Sequence, residues 1–201
     1  MKNLQRAHLP LRGQAFIVAA VAAMMLVISS PAFSKKVGGS NVPDTVSIGG
    51  ADIPFRGGGV RKRAFFSIYA AGLYTEETSG DGNTISAADE PMAIHLLITS
   101  TLISKNKLIA ALKTGFNKST NGDTSAVQDG IDQMIAAFVK PLNPGTSYTL
   151  AYEPGVGTTM YRNAEVAVVV EGLEFKKALF GIWLGDKPVQ ANLKKGMLSS
   201  S

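Results

Sequence analysis

Gly57 to Glu77 reads GGGVRKRAFFSIYAAGLYTEE, and the fold turns on this stretch. Three glycines lead into a basic knot, Arg61-Lys62-Arg63, and then into a run with almost no polar interruption. Phe65, Phe66, Ile68, Tyr69 and Tyr74 favour a strand, because branched and aromatic side chains suit a pleated, half-buried surface. Apolar residues occupy both alternating sets of positions, which predicts a central strand covered on two faces. Small residues in its middle, Ala70-Ala71-Gly72, mark the close approach of another element or a ligand. With the glycines read as a loop and Arg61 just beyond them, the strand's mouth is an anion-recognition candidate.

Working outward toward the N-terminus, Thr45–Ile48 and Asp52–Phe55 flank Gly49-Gly50, a two-residue hairpin signal. Lys35 to Asp44 is rich in glycine and serine and is expected to be a flexible leader. Residues 1–34 carry the three parts of a secretory signal. Lys2, Arg6 and Arg12 form a positive start, Ala15 to Ile28 is an apolar run of 14 residues, and Pro31-Ala32-Phe33-Ser34 offers small residues for a cut before Lys35. That run is shorter than the roughly 20 residues of a bilayer span. Export to a periplasm is therefore expected, with one domain over residues 45–201.

In the other direction, Ser79–Glu90 is polar and Met92–Thr99 is an apolar strand. Ser104 is suited to cap a helix whose Leu108, Ile109, Leu112 and Phe116 share a face. A second helix begins near Ser125, carries Val127, Ile131, Met134, Ile135 and Phe138, and stops at Pro141. Tyr148–Tyr152, Thr158–Arg162 and Glu165–Val170 read as a strand meander. A helix from Leu173 to Gly185 and a short one over Gln190–Met197 close the chain. Strands and helices come in blocks without a repeated βαβ unit. The fold class is α+β, a large antiparallel sheet covered by a layer of helices.

Composition narrows the function. Beyond residue 34 the chain keeps 17 Lys+Arg, the 20 of the whole less Lys2, Arg6 and Arg12, against 15 Asp+Glu. A net charge of +2 does not make a nucleic-acid partner. Cysteine is absent, so no disulfide or thiol chemistry is available. His95 is the one histidine outside the signal segment, which leaves no set of ligands for zinc or haem and no serine triad. It sits in an apolar strand, as a hydrogen-bonded core histidine does. Neither cofactor nor metal is expected.

Three stretches resemble the chalcone isomerase superfamily. They are Gly58-Gly59-Val60-Arg61 with the later Gly72-Leu73-Tyr74-Thr75-Glu76, the segment Ser104–Phe116, and Ala178-Leu179-Phe180-Gly181-Ile182-Trp183-Leu184-Gly185-Asp186-Lys187-Pro188-Val189. The last resembles the signature of the bacterial, exported chalcone-isomerase-like branch. The resemblance runs from about Val46 to Leu198 and implies an open-faced β-sandwich with a ligand cleft between sheet and helices. The plant enzymes of the family close a chalcone to a flavanone with an arginine, a threonine, a tyrosine and an asparagine. Arg61 matches the arginine, whereas Tyr69, Ser104 and Ala111 fall at the other three positions. The resemblance also extends to non-catalytic members that bind fatty acids, in which the arginine meets a carboxylate.

The candidate binding residues are accordingly Arg61, Tyr69, Tyr74, Phe66, Ile68, Leu108 and Leu112. Arg61 would hold a carboxylate through two parallel hydrogen bonds, a tyrosine phenol would add one more, and the apolar residues, with Phe65, Ile135 and Phe138, would form the wall. Arg61 and Tyr74 point to opposite faces of an unbroken strand, so a bulge near Gly72 or a turn within Arg61–Arg63 is required to join them. Three functions fit these residues. They are binding of a small apolar carboxylate or polyphenol-like ligand, an intramolecular lyase of chalcone-like substrates, and an envelope assembly protein with no small ligand.

Overall fold

The computed structural model describes residues 34–199. The predicted signal segment, apart from Ser34, lies outside them. Strands β1 (Ser34–Val37) and β2 (Ser40–Pro43) form a hairpin of their own. Seven more make one antiparallel sheet in sequence order: β3 (Thr45–Ile48), β4 (Ala51–Arg63), β5 (Phe66–Thr75), β6 (Met92–Ile98), β7 (Ser147–Glu153), β8 (Gly157–Arg162) and β9 (Glu165–Val170). Helix α1 (Gly82–Ala87) follows β5, while α2 (Lys105–Ser119) and α3 (Gln128–Ala136) lie between β6 and β7. Helices α4 (Leu173–Leu184) and α5 (Ala191–Leu198) come last. This is the expected α+β architecture, with the helices on one face of the sheet.

Alternation assigns the two faces. Ala71 and Leu73 of β5, Ile94 and Leu96 of β6, and Leu150 of β7 belong to the large core shared with Leu112, Phe116, Leu179 and Trp183. The alternate residues Tyr74, Ala93 and Ala151 form a second buried cluster with Val46, Ile48 and Ile53. The double coverage expected of β5 is real, and the second cover comes from the N-terminal strands. Lys35–Asp44 is therefore not the flexible leader its composition suggests. Val37 and Val42 are buried against Ala70, and Tyr74 Oη donates to the Pro43 carbonyl at 2.7 Å. Each strand of the hairpin turns one valine inward, Val37 and Val42, and leaves the Gly38-Gly39 turn in solvent.

The Gly49-Gly50 hairpin forms as expected, with both glycines at positive φ (60° and 84°). Gly57–Gly59, in contrast, is not a loop. It lies inside β4, which continues to Arg63 and turns at Ala64-Phe65. The glycines are there because α5 lies directly on β4. A Cβ on Gly57 would sit 2.3 Å from the Ser199 carbonyl oxygen, and one on Gly196 would sit 2.5 Å from that of Gly58. Two backbones approach closely only where both lack side chains. The turn leaves Phe65 and Phe66 largely exposed, at 99% and 59%, rather than in the strand's core.

Two bulges re-aim β4 and β5. One falls where Phe55 pairs with Tyr74 and Gly57 with Leu73, leaving Arg56 unpaired. Its guanidinium donates to the carbonyls of Glu77, Thr78 and Ser79 and ties down the loop after β5. The other falls where Arg61 pairs with Tyr69 and Lys62 with Ser67, so Ile68 is the extra residue. An extra residue breaks the alternation, and the neighbours Ile68 and Tyr69 both join the helix-side core.

Candidate ligand-binding cleft

The second bulge opens on a cleft between the β4–β5 hairpin, the start of α2 and the end of α4. Its volume is about 540 Å³. Sites for small organic molecules run from about 300 to 1,000 Å³. The floor and walls are apolar, built from Ile68, Leu108, Leu112, Ile182 and Val189 with the ring of Trp183. The charged residues that line it are Arg61, Arg63 and Lys107, and no Asp or Glu is among the lining residues. An apolar chamber lined by basic side chains and no acid suits a molecule that is greasy at one end and anionic at the other.

Tyr69 and Trp183 form the polar pair inside. Trp183 Nε1–H donates to Tyr69 Oη at 3.1 Å. Both residues are buried, and burial pushes the Tyr69 phenol up to about 12, against the smaller opposing effects of the Trp183 hydrogen bond and the Arg61 charge. The phenol is therefore neutral near pH 7. It keeps a proton for which the described residues supply no acceptor, and it lines the cleft.

Arg61 is paired across the strands with Tyr69. Its Nη1 donates to the Lys62 carbonyl at 2.6 Å and to Gln190 Oε1 at 3.0 Å. The same Gln190 oxygen accepts from the Lys62 amide at 2.9 Å, so one side chain from the start of α5 fixes the arginine and the strand together. Arg61 Nε and Nη2 have no acceptor among the described residues and remain available.

Of the residues predicted from sequence, Arg61, Phe66, Ile68, Tyr69, Leu108 and Leu112 line this one cleft. Tyr74 does not. It faces the other side of the sheet, stacked edge-on against Phe55 with centroids 5.7 Å apart. No bulge near Gly72 joins it to Arg61; alternation with Ala71 and Leu73 puts Tyr69 on the helix side, and the bulge adds Ile68 beside it. Ile135 and Phe138 pack in the helix-side core, Phe138 against Tyr148 at 5.2 Å, and do not line the cleft. Phe65 stands outside it as well. Leu102, Ile103, Lys107, Ile182, Trp183 and Val189 were not among the predicted binding residues. Lys107 and Ala111 lie one position before Leu108 and Leu112, a signal that the helical period carried. Of the positions that correspond to the plant enzymes' groups, Arg61, Tyr69 and Ala111 line the cleft, Ala111 presenting only a methyl group. Ser104 caps α2 by accepting from the Lys107 amide. Among the described residues no cluster of side chains could hold a metal ion.

This fold and cleft define a member of the chalcone isomerase-like family, whose pattern the sequence matches over residues 34–199. The chain belongs to that family. No curated protein matches the sequence. Among solved structures, a fatty-acid binding protein of Arabidopsis thaliana is similar at a TM-score of 0.61 and 16% sequence identity, over 80% of this chain and 92% of its own. At that identity the likeness is one of fold.

Proposed function

We propose that the protein binds a small apolar carboxylate of the fatty-acid kind, with the chain in the cleft and the carboxylate at Arg61 and Tyr69. The observation that carries this is the lining itself, an apolar wall whose charged residues are Arg61, Arg63 and Lys107, with no acid. The free Nε and Nη2 donors of Arg61 and the unspent proton of Tyr69 suit the two oxygens of a carboxylate. The similar fold of a fatty-acid binding protein supports the same reading. A lyase is less well supported, because a phenol pushed up to about 12 is a hydrogen-bond donor rather than a base near neutral pH.

Trp183 is the protein's one tryptophan and lines the cleft, so its fluorescence reports occupancy directly. Titration with a long-chain fatty acid is expected to change Trp183 emission saturably, and its methyl ester is expected to bind more weakly. Equal affinity for acid and ester would remove Arg61 from the site. No response to the acid, with a response to a chalcone, would favour the isomerase reading.

We propose further that residues 1–34 direct export. A cut before Lys35 spares nearly the whole of β1, which starts at Ser34. Fractionation and N-terminal sequencing of the expressed protein test this, and an intact Met1 in the cytoplasmic fraction would refute it.

A further inference from the structure

The tip of the β4–β5 hairpin has features that ligand binding inside the cleft does not use. Phe65 is 99% exposed at the turn, beside Ala64 in a left-handed conformation (φ 52°). Phe66 and Leu102, 59% and 46% exposed, stand on the cleft's rim. Among the described residues the other large apolar side chains left in solvent are valines, Val139, Val156, Val166 and Val169, none of which lines the cleft. Burying an exposed phenylalanine is favourable by about 1.5–3 kcal/mol, so a tip that holds two in water needs a reason.

Charge supplies it. Lys62 and Arg63 are exposed just before the turn, Arg63 across from Phe66, and Arg61, Arg63 and Lys107 line the cleft. Apart from α4, which carries Glu174 in its first turn, the segments that meet there are free of acids. No Asp or Glu occurs between Asp52 and Glu76, between Glu90 and Asp123, or after Asp186. Beyond residue 34 the charges nearly balance, 17 against 15, so this bare cationic end is a matter of distribution rather than of total. The first turn of α2 makes the same point. It carries Lys105 and Lys107 and no acid, where the helix dipole favours negative charge. That arrangement is unfavourable alone and relieved by an anionic surface.

We propose that the tip of the β4–β5 hairpin docks on an anionic lipid bilayer. Phe65 and Phe66 enter the headgroup–acyl boundary, and Lys62, Arg63 and Lys107 face lipid phosphates. An exposed aromatic pair next to basic side chains suits a soft interface better than the concave groove that would seat a helix or peptide. The cleft opens at that rim, so an amphiphile passes between membrane and cleft without crossing water. This route for the ligand rests on the cleft's proposed function, whereas docking does not.

The test uses the chain from Ser34 to Ser201, which holds every strand, helix and core cluster of the described residues and leaves out the apolar run Ala15–Ile28 that would bind membranes by itself. Sedimentation with phosphatidylcholine vesicles is compared with sedimentation with vesicles that also contain phosphatidylglycerol. Phe65→Ser and Lys62→Glu change residues outside the cleft lining, and circular dichroism checks that both fold. Binding is expected only with the anionic vesicles. It should weaken about tenfold in Phe65→Ser, and about fivefold or more in Lys62→Glu, the effect of one basic side chain at such a surface. Fatty-acid titration of Trp183 without vesicles should be the same in all three proteins. No sedimentation of the wild type with anionic vesicles, or equal sedimentation of the variants, overturns the docking proposal even if fatty acid binds. Vesicle binding that depends on Phe65 and Lys62, together with a silent Trp183, would keep docking and remove the cleft's proposed ligand. Binding at the tip to a soluble protein but not to vesicles also counts against it.

Discussion

Trp183 holds the phenol of Tyr69 by its oxygen, at 3.1 Å, and so leaves the phenol proton free on the cleft side. The indole has only a donor and the phenol is both donor and acceptor. Helix α4 thus spends its one polar side-chain contact here on the acceptor half of Tyr69. The donor half faces a cleft that contains three cations and no anion.

Tyr69→Phe separates these halves. The Trp183 N–H stays buried with no partner, which costs about 1–3 kcal/mol in unfolding free energy. Losing a donor to a carboxylate weakens fatty-acid binding by about 1.5–3 kcal/mol. Urea denaturation with an unchanged m-value measures the first, and Trp183 titration the second. Lost stability with unchanged affinity would show that Tyr69 only supports Trp183.

Arg61→Ala is expected to act the other way. Its guanidinium is partly exposed, and Gln190 Oε1 keeps the Lys62 amide as a donor, so stability should move by less than about 0.5 kcal/mol. Affinity for a carboxylate should fall by about 1.5–3 kcal/mol, while that for a methyl ester is unchanged. The paired titrations decide it. A lower melting temperature with intact affinity would make Arg61 a clamp for α5 and nothing more.

Much of this was legible in the sequence where the signal is local. An apolar run marked β6, short strand-forming runs split by turn residues marked β7 to β9, the capped i, i+4 pattern marked α2, and Gly49-Gly50 marked its hairpin. Arg61 and the Leu108–Leu112 stripe pointed to the cleft because guanidinium chemistry and helical spacing can each be read within a few residues. What could not be read depends on distant partners. A glycine run signals either a turn or a close approach, and Gly57–Gly59 is the second only because Gly196, Met197 and Ser199 arrive from the other end of the chain. The bulge at Ile68 leaves no mark in composition, yet it alone puts Ile68 beside Tyr69 on the cleft face. Lys35–Asp44 looks like a leader because only Val37 and Val42 are buried within it, too few for a periodic signal.

The contact of α5 with β4 gives a prediction independent of any ligand. A methyl group on Gly57 would meet the carbonyl oxygens of Ser199, Gly196 and Met197 at 2.3, 2.6 and 2.8 Å. These are backbone atoms, so Gly57→Ala must lift the end of α5 rather than turn a side chain aside. The expected cost is about 1–3 kcal/mol, read as a lower denaturation midpoint. Gly80→Ala, with nothing within 4 Å and an ordinary φ, serves as the control and should be neutral or slightly stabilising. Equal stability of the two variants would mean that α5 does not pack on β4 as described.

His95 gives the fold a defined response to acid. It sits in β6 between Gly72 and Thr149, on the face away from the helices, with Nδ1 2.9 Å from Thr149 Oγ1. Burial lowers its pKa to about 4, from the 6.5 of a free histidine. Between those values the unfolded chain binds a proton that the folded one refuses. Stability from this group is therefore complete above about pH 6.5 and lost as pH falls toward 4, by up to about 3 kcal/mol. The shifted carboxylates Asp81 and Asp123 are held below their ordinary range by hydrogen bonds from Asn83 and Ser125, so they act only at lower pH. Denaturation midpoints of the wild type should decline across this window. Those of His95→Asn, which has no group to titrate there, should stay level. A flat wild-type profile would mean that His95 is protonated in the folded protein, and the unmet charge would then need a partner that its strand neighbours do not supply.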